Sequence, residues 1–151
     1  MKKEKALYQV SLKALLKNSK GEILALKALG SGSFSGFYDF PGGRIDSDEF
    51  SIPLSDILAR EIREEIGNIQ FKIYSSPVGV GRHLIPAAMT SGGVDKQVLY
   101  LFFEVDYLGG EIKISDEHTD YKWLNLKEID PKQYFKSGVL EGVEMYLRFR
   151  E

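Results

Sequence analysis

The chain contains no cysteine among its 151 residues, and that single absence removes disulfides, thiolate metal sites and thiol nucleophiles together. It fits a reducing compartment. Histidine is nearly as scarce, with two residues, so a Zn²⁺ site built on imidazole and thiolate is poorly served. No apolar run approaches the ~20 residues that span a membrane. The N-terminus, MKKEKALYQV, has the basic start of a signal peptide but neither an apolar stretch nor a cleavage site. A cytoplasmic protein with no membrane partner is therefore expected. A basic excess is also missing: the net charge is −2, which gives no general attraction for nucleic acid and leaves any bound phosphate to be met by local charge. There is no internal repeat or low-complexity tract.

What remains is an ordinary globular composition, 43% hydrophobic and 12% aromatic, over a length that suits one domain spanning 1–151. Alternating apolar residues predict a strand from Ala6 to Leu16. The turn signal Asn18-Ser19-Lys20-Gly21 and the apolar run Glu22 to Ala28 complete a predicted hairpin. Leu29 to Gly36 is Gly/Ser-rich and reads as a surface loop. Leu58, Ile62 and Ile66 form an i, i+4, i+8 stripe, which predicts a helix over about Leu54 to Ile66. Strands are expected at Phe71 to Val80, Gln97 to Asp106 and Tyr121 to Leu126, with a long loop from Gly81 to Asp95. Helical spacing returns from Pro131 to Arg150, weakened by Gly138 and Gly142. The pattern suggests an α+β or α/β/α layered fold.

One feature of the helix 54–66 is unfavourable for stability. Glu61, Glu64 and Glu65 fall at i, i+3 and i+4, so their carboxylates share one side and repel. Gly67 is a stop signal, which puts Glu64 and Glu65 in the last turn, where the macrodipole favours cations and each acid costs roughly 0.3–1 kcal/mol. Arg60 and Arg63 compensate only in part. A divalent metal would supply the missing charge, and a set of hard oxygens suits Mg²⁺ or Mn²⁺. A solvated, charge-rich face is the competing interpretation of the triplet alone.

The surroundings of the triplet decide between them. The run from Gly42 to Gly67 resembles the Nudix box, G-x5-E-x7-R-E-U-x-E-E-x-G-U with U a bulky aliphatic. Counting from Gly43, the loop acid is Glu49, and Arg60, Glu61, Ile62, Arg63, Glu64, Glu65, Ile66 and Gly67 follow in register. Ten residues separate Glu49 from Arg60 where the family has seven, an insertion of three near Pro53, and Asn68 replaces the final aliphatic with Ile69 next to it.

The resemblance implies a mixed curved sheet between helices. It also implies a Mg²⁺-dependent hydrolase that cleaves the pyrophosphate linkage of a nucleoside diphosphate derivative, with Mn²⁺ as a possible substitute. By position, Glu64 and Glu65 match metal ligands, Glu61 a ligand or the general base, and Arg60 the arginine that orients them; a carbonyl of Gly42 or Gly43 completes the shell. The family's further loop ligand maps to Glu117, with Asp116 and Asp120 as rivals. Phosphate-facing charge falls to Arg44, then to Arg82 and Lys27. His83 is placed in a loop, while Phe34, Phe37 and Tyr38 precede the box where a base could stack. A (d)NTP or oxidised purine nucleotide is the default substrate, and ADP-ribose or a nucleotide sugar the alternative. A catalytically silent nucleotide sensor is the alternative of another class, disfavoured by the intact glutamates. Isopentenyl diphosphate isomerase shares the box but needs a cysteine. A homodimer is a possible assembly.

Overall fold

The computed structural model describes residues 2–150. Seven strands form one mixed sheet: β1 Tyr8–Lys17, β2 Ile23–Ala28, β3 Tyr38–Asp39, β4 Gly42–Arg44, β5 Gln70–Ile85, β6 Lys96–Gly109 and β7 His118–Leu124. Three helices flank it: α1 Leu54–Ile66, α2 Pro131–Tyr134 and α3 Ser137–Arg148. None of the three is long and apolar enough to cross a membrane.

The sheet is covered on both faces, which explains why six consecutive residues of β1, Ser11 to Leu16, are buried. Leu12, Ala14 and Leu16 meet Ile57, Leu58, Ile62 and Ile66 of α1 in one core. Leu15 joins Phe40, Phe102, Phe135, Val139 and Val143 in the other, beneath α3. The layering is the expected α/β/α sandwich.

The predicted hairpin forms only at its closed end. Strands β1 and β2 pair at Lys17↔Ile23 and then separate, because segment 38–44 enters the gap. Tyr38–Asp39 pairs with β2, and Gly42 to Arg44 pairs with Lys13 to Ser11 of β1. The opposite edge of β1 runs parallel to β6 along its whole length. This wedge carries the glycines that precede α1 into the middle of the sheet.

Two further expectations are corrected. The stretch from Gly81 to Ile85 belongs to β5 and pairs with β6 through Gly81↔Tyr100 and His83↔Val98, so His83 sits on a strand; only 86–95 is irregular, with a 3-10 turn at Ala87–Met89. Glycines mark the contact between this strand and the C-terminal helix. A Cβ on Gly81 would lie 1.9 Å from the Gly138 carbonyl oxygen, and one on Gly142 2.1 Å from the Phe102 ring. Gly138 and Gly142 thus let α3 approach the sheet, a gain that outweighs their poor helix propensity. The second correction is that the C-terminal helix is broken. Asp130 caps α2, Phe135 is extended and buried, and Ser137 restarts the helix at φ 53°.

Candidate active site

Helix α1 covers the expected span because its apolar stripe seals one core and Gly67, at φ 92°, ends it. Its last carbonyls are satisfied from the loop before β7: Ser115 N–H donates to the Glu65 carbonyl at 2.9 Å and Lys113 N–H to that of Ile66 at 3.0 Å. The three glutamates fan from interior to solvent. Glu65 is 7% exposed, the Glu61 side chain 14% and that of Glu64 57%.

Arg60 binds the fan together. Its Nη2 donates to Glu49 Oε2 at 2.7 Å and lies 3.4 Å from Glu61 Oε1, while its Nη1 donates to Glu64 Oε1 at 3.1 Å. Glu49 is buried and also accepts the Asp46 N–H at 2.8 Å. That amide and Arg60 hold its carboxyl below the usual range. The three-residue insertion is thus absorbed by the loop 50–53, and Glu49 stays against Arg60; Phe50 points outward, 99% exposed.

Glu65 has the opposite environment. Its one hydrogen bond is from Gly42 N–H, at 3.2 Å, and burial pushes its pKa up to about 8, with Lys13 opposing. Burial also raises Glu61, against the pull of Arg60. A buried carboxyl with one amide partner is a group that a cation would ionise, and its hard oxygens suit a small divalent ion. The residues that could hold one are Glu61, Glu64, Glu65 and the Gly42 carbonyl. Among the described residues no three carboxylates or imidazoles close on a common point, since Glu64 is drawn out to Arg60. Glu117 is exposed on the loop before β7, within electrostatic reach of Glu65.

The glycines are required by contact. Gly42, at φ +150°, would place a Cβ 1.7 Å from the Leu12 carbonyl oxygen, and Gly43 would place one 2.5 Å from Glu61 Oε2. Gly43 and Arg44 also border a cavity of about 180 Å³ between the β1–β6 face and the loop 29–36. Arg44 donates to Gln9 at 2.8 Å at its rim. Arg82 stands apart, donating to the Tyr8 hydroxyl at 3.1 Å, and Lys27 is exposed on β2. His83 Nε2 lies 3.1 Å from Ser33 Oγ and its Nδ1 2.8 Å from Ser137 Oγ, which ties the Gly/Ser loop to α3; burial lowers its pKa. Trp123 packs on Tyr107 with ring centroids 5.4 Å apart.

The sequence did not point to Lys13 or Asp39. They form an ion pair at 2.9 Å in which both side chains are largely buried. The available signal was a lysine inside the apolar run SLKALL. His118 was also missed; its Nδ1 is buried without a hydrogen-bond partner.

A layered mixed sheet carrying a glycine strand against an Arg-bridged acidic helix defines the Nudix class of hydrolases. The chain belongs to the NUDIX domain family, whose model matches residues 7–142. It is 27% identical over 116 residues to nucleoside triphosphatase NudI of Escherichia coli O139:H28 (strain E24377A / ETEC), covering 76% of this chain and 80% of that protein. The MutT protein from Methanosarcina mazei Go1 superposes with a TM-score of 0.70 at 26% identity, over 94% of this chain and 92% of that one. An ADP-ribose pyrophosphatase from Streptococcus suis 89-1591 shares the fold, with a TM-score of 0.61 at 18% identity over 96% and 94% of the two chains.

Proposed function

We propose that the protein hydrolyses the pyrophosphate linkage of a nucleoside triphosphate, canonical or oxidised, in a Mg²⁺-dependent reaction, with Mn²⁺ able to substitute. The observation that carries this proposal is a buried Glu65 held by one amide hydrogen bond beside an Arg60 that bridges three other glutamates. Similarity to a nucleoside triphosphatase supports the substrate class. ADP-ribose is the second candidate, since a neighbour of the same fold is an ADP-ribose pyrophosphatase.

In this mechanism a bound divalent cation supplies charge neutralisation at the phosphate oxygens and an acidified water. Glu65, Glu64, Glu61 and the Gly42 carbonyl would hold it, with Glu117 as a further carboxylate from the loop before β7. Arg60 fixes the carboxylates so that little reorganisation is needed on binding. Glu61, whose proton affinity is raised by burial, accepts the proton of the attacking water. Arg44 meets phosphate charge at the rim, and Arg82, placed farther off, contributes less.

The test is a panel of (d)NTPs, oxidised purine nucleotides, ADP-ribose, NADH and dinucleoside polyphosphates, with and without Mg²⁺. Metal-dependent release of a nucleoside monophosphate from a triphosphate is expected, with a loss of several orders of magnitude in Glu65→Gln. Equal turnover in EDTA, or in that variant, would overturn the assigned roles. Binding without turnover across the panel would replace the enzyme with a sensor.

A further inference from the structure

Lys13 carries an ammonium on the middle strand of the sheet at 7% exposure, where an ion normally survives only if its donors are used. One of the three N–H groups is. It donates to Asp39 Oδ2, and among the described residues Lys13 has no other acceptor; the ammonium otherwise sits 5.3 Å above the centre of the Tyr100 ring. Asp39 is similarly half used. Its Oδ1 accepts the Phe40 N–H at 2.7 Å and its Oδ2 accepts Lys13, which leaves one lone pair on each oxygen. Both residues line the 180 Å³ cavity, with Tyr100 and Phe34 as aromatic walls. A pocket that encloses a drug-sized ligand is larger, roughly 300–1,000 Å³, so this one takes a fragment of the substrate and not the whole of it. Gly43 lines the same cavity and abuts the Glu61 carboxylate, so a ring held here would lie one residue away from the acidic helix.

We propose that Lys13 and Asp39 read the edge of the substrate's nucleobase and that they select guanine, an inference that rests on the nucleotide hydrolase assignment above. The pair offers donors on one side and two acceptor oxygens on the other. Guanine presents the complement in sequence: a carbonyl O6 for Lys13, then N1–H and the 2-amino group for the two carboxylate oxygens. Adenine and cytosine can donate to Asp39 only through one amino group. Uracil, thymine and xanthine set a second carbonyl against the carboxylate, where two acceptors repel. The apolar surface of Tyr100 and Phe34 favours any planar ring and so adds affinity without choice.

The experiment is calorimetric binding of GMP, IMP, XMP, AMP and UMP to the wild-type protein with Mg²⁺, alongside kcat/KM for the four dNTPs. GMP is expected to bind most tightly, IMP more weakly for lack of the 2-amino group, and XMP and UMP roughly tenfold to a hundredfold more weakly than GMP, the discrimination that bidentate edge contacts give. Asp39→Asn, which turns one acceptor into a donor, is expected to remove the guanine preference in kcat/KM while changing turnover of dATP much less. If Asp39→Asn does not fold, the wild-type ranking still decides. XMP or UMP binding as well as GMP, or equal kcat/KM across the dNTPs, overturns the inference. Turnover without base preference would leave the hydrolase assignment standing and remove this one; guanine-selective binding without turnover would do the reverse.

Discussion

Arg60 reaches back eleven positions to donate to Glu49 at 2.7 Å, closing the loop that enters α1. The contact spans an insertion of three residues relative to the Nudix pattern, yet it leaves Glu49 buried and Arg60 bridging three carboxylates. The family spacing is therefore not what positions this acid. A planar guanidinium with a fork of donors reaches it across a longer loop.

Replacing that fork tests its role. Arg60→Lys leaves one positive charge but cannot span Glu49, Glu61 and Glu64 in the same geometry. We expect kcat to fall on the order of a hundredfold, the cost of a small misplacement of reacting groups. Thermal stability should change little, because pairs at a 40% exposed side chain are screened. Steady-state kinetics beside a melting curve checks both; a wild-type kcat would remove Arg60 from the machinery.

Glu65 gives a pH dependence whose sign can be worked out. Its folded pKa is raised from 4.5 to about 8, so between those values the folded chain keeps a proton that the unfolded chain has lost. Without divalent ions, stability is therefore full near pH 4.5 and declines as pH rises to 8, by up to roughly 1.4 kcal/mol per unit from this group. Glu65→Gln should flatten that decline. Added Mg²⁺ should raise the melting temperature of the wild type more at pH 8 than at pH 5.5, and should not do so in the variant. Denaturant titrations across the range report the slope.

Gly43→Ala separates catalysis from folding. Its methyl group would meet the Glu61 carboxylate, the far end of a flexible side chain, which can move aside. Folding should survive with kcat reduced at least tenfold, on the order of the loss from displacing one catalytic group. Gly42→Ala meets the Leu12 backbone at a positive φ and should destabilise by several kcal/mol, read as insoluble expression or a low melting point.

The contact of α3 with β5 and β6 should be equally intolerant. Gly142→Ala drives a methyl group into the Phe102 ring and Gly81→Ala one into the Gly138 carbonyl. Each is expected to cost about 1–3 kcal/mol or more through overpacking, although alanine is the better helix former. A raised melting temperature in Gly142→Ala would contradict the packing described.

The helix 54–66 and its carboxylates were legible because two local signals agree, a 3.6-residue apolar stripe and a terminal glycine. The strands β1 and β6 were legible from their apolar residues, whereas the division of the interior into two cores, one on each face of the sheet, was not. What the sequence hid is set by long-range approach. Gly81 resembles a loop residue until a helix is packed on it, and β2 looks like the partner of β1 until segment 38–44 separates the two. Lys13 and Asp39, twenty-six positions apart, meet only because that segment is wedged between strands. Burial of Glu65 was likewise invisible, since periodicity alone places it on the same side as the solvent-facing Glu64.

Gly43 separates the glutamate side from the ring-sized cavity by the thickness of one peptide. With no side chain there, the two compartments share one thin wall. Any side chain at this position would press on the Glu61 carboxylate, so the partition stays thin only as glycine.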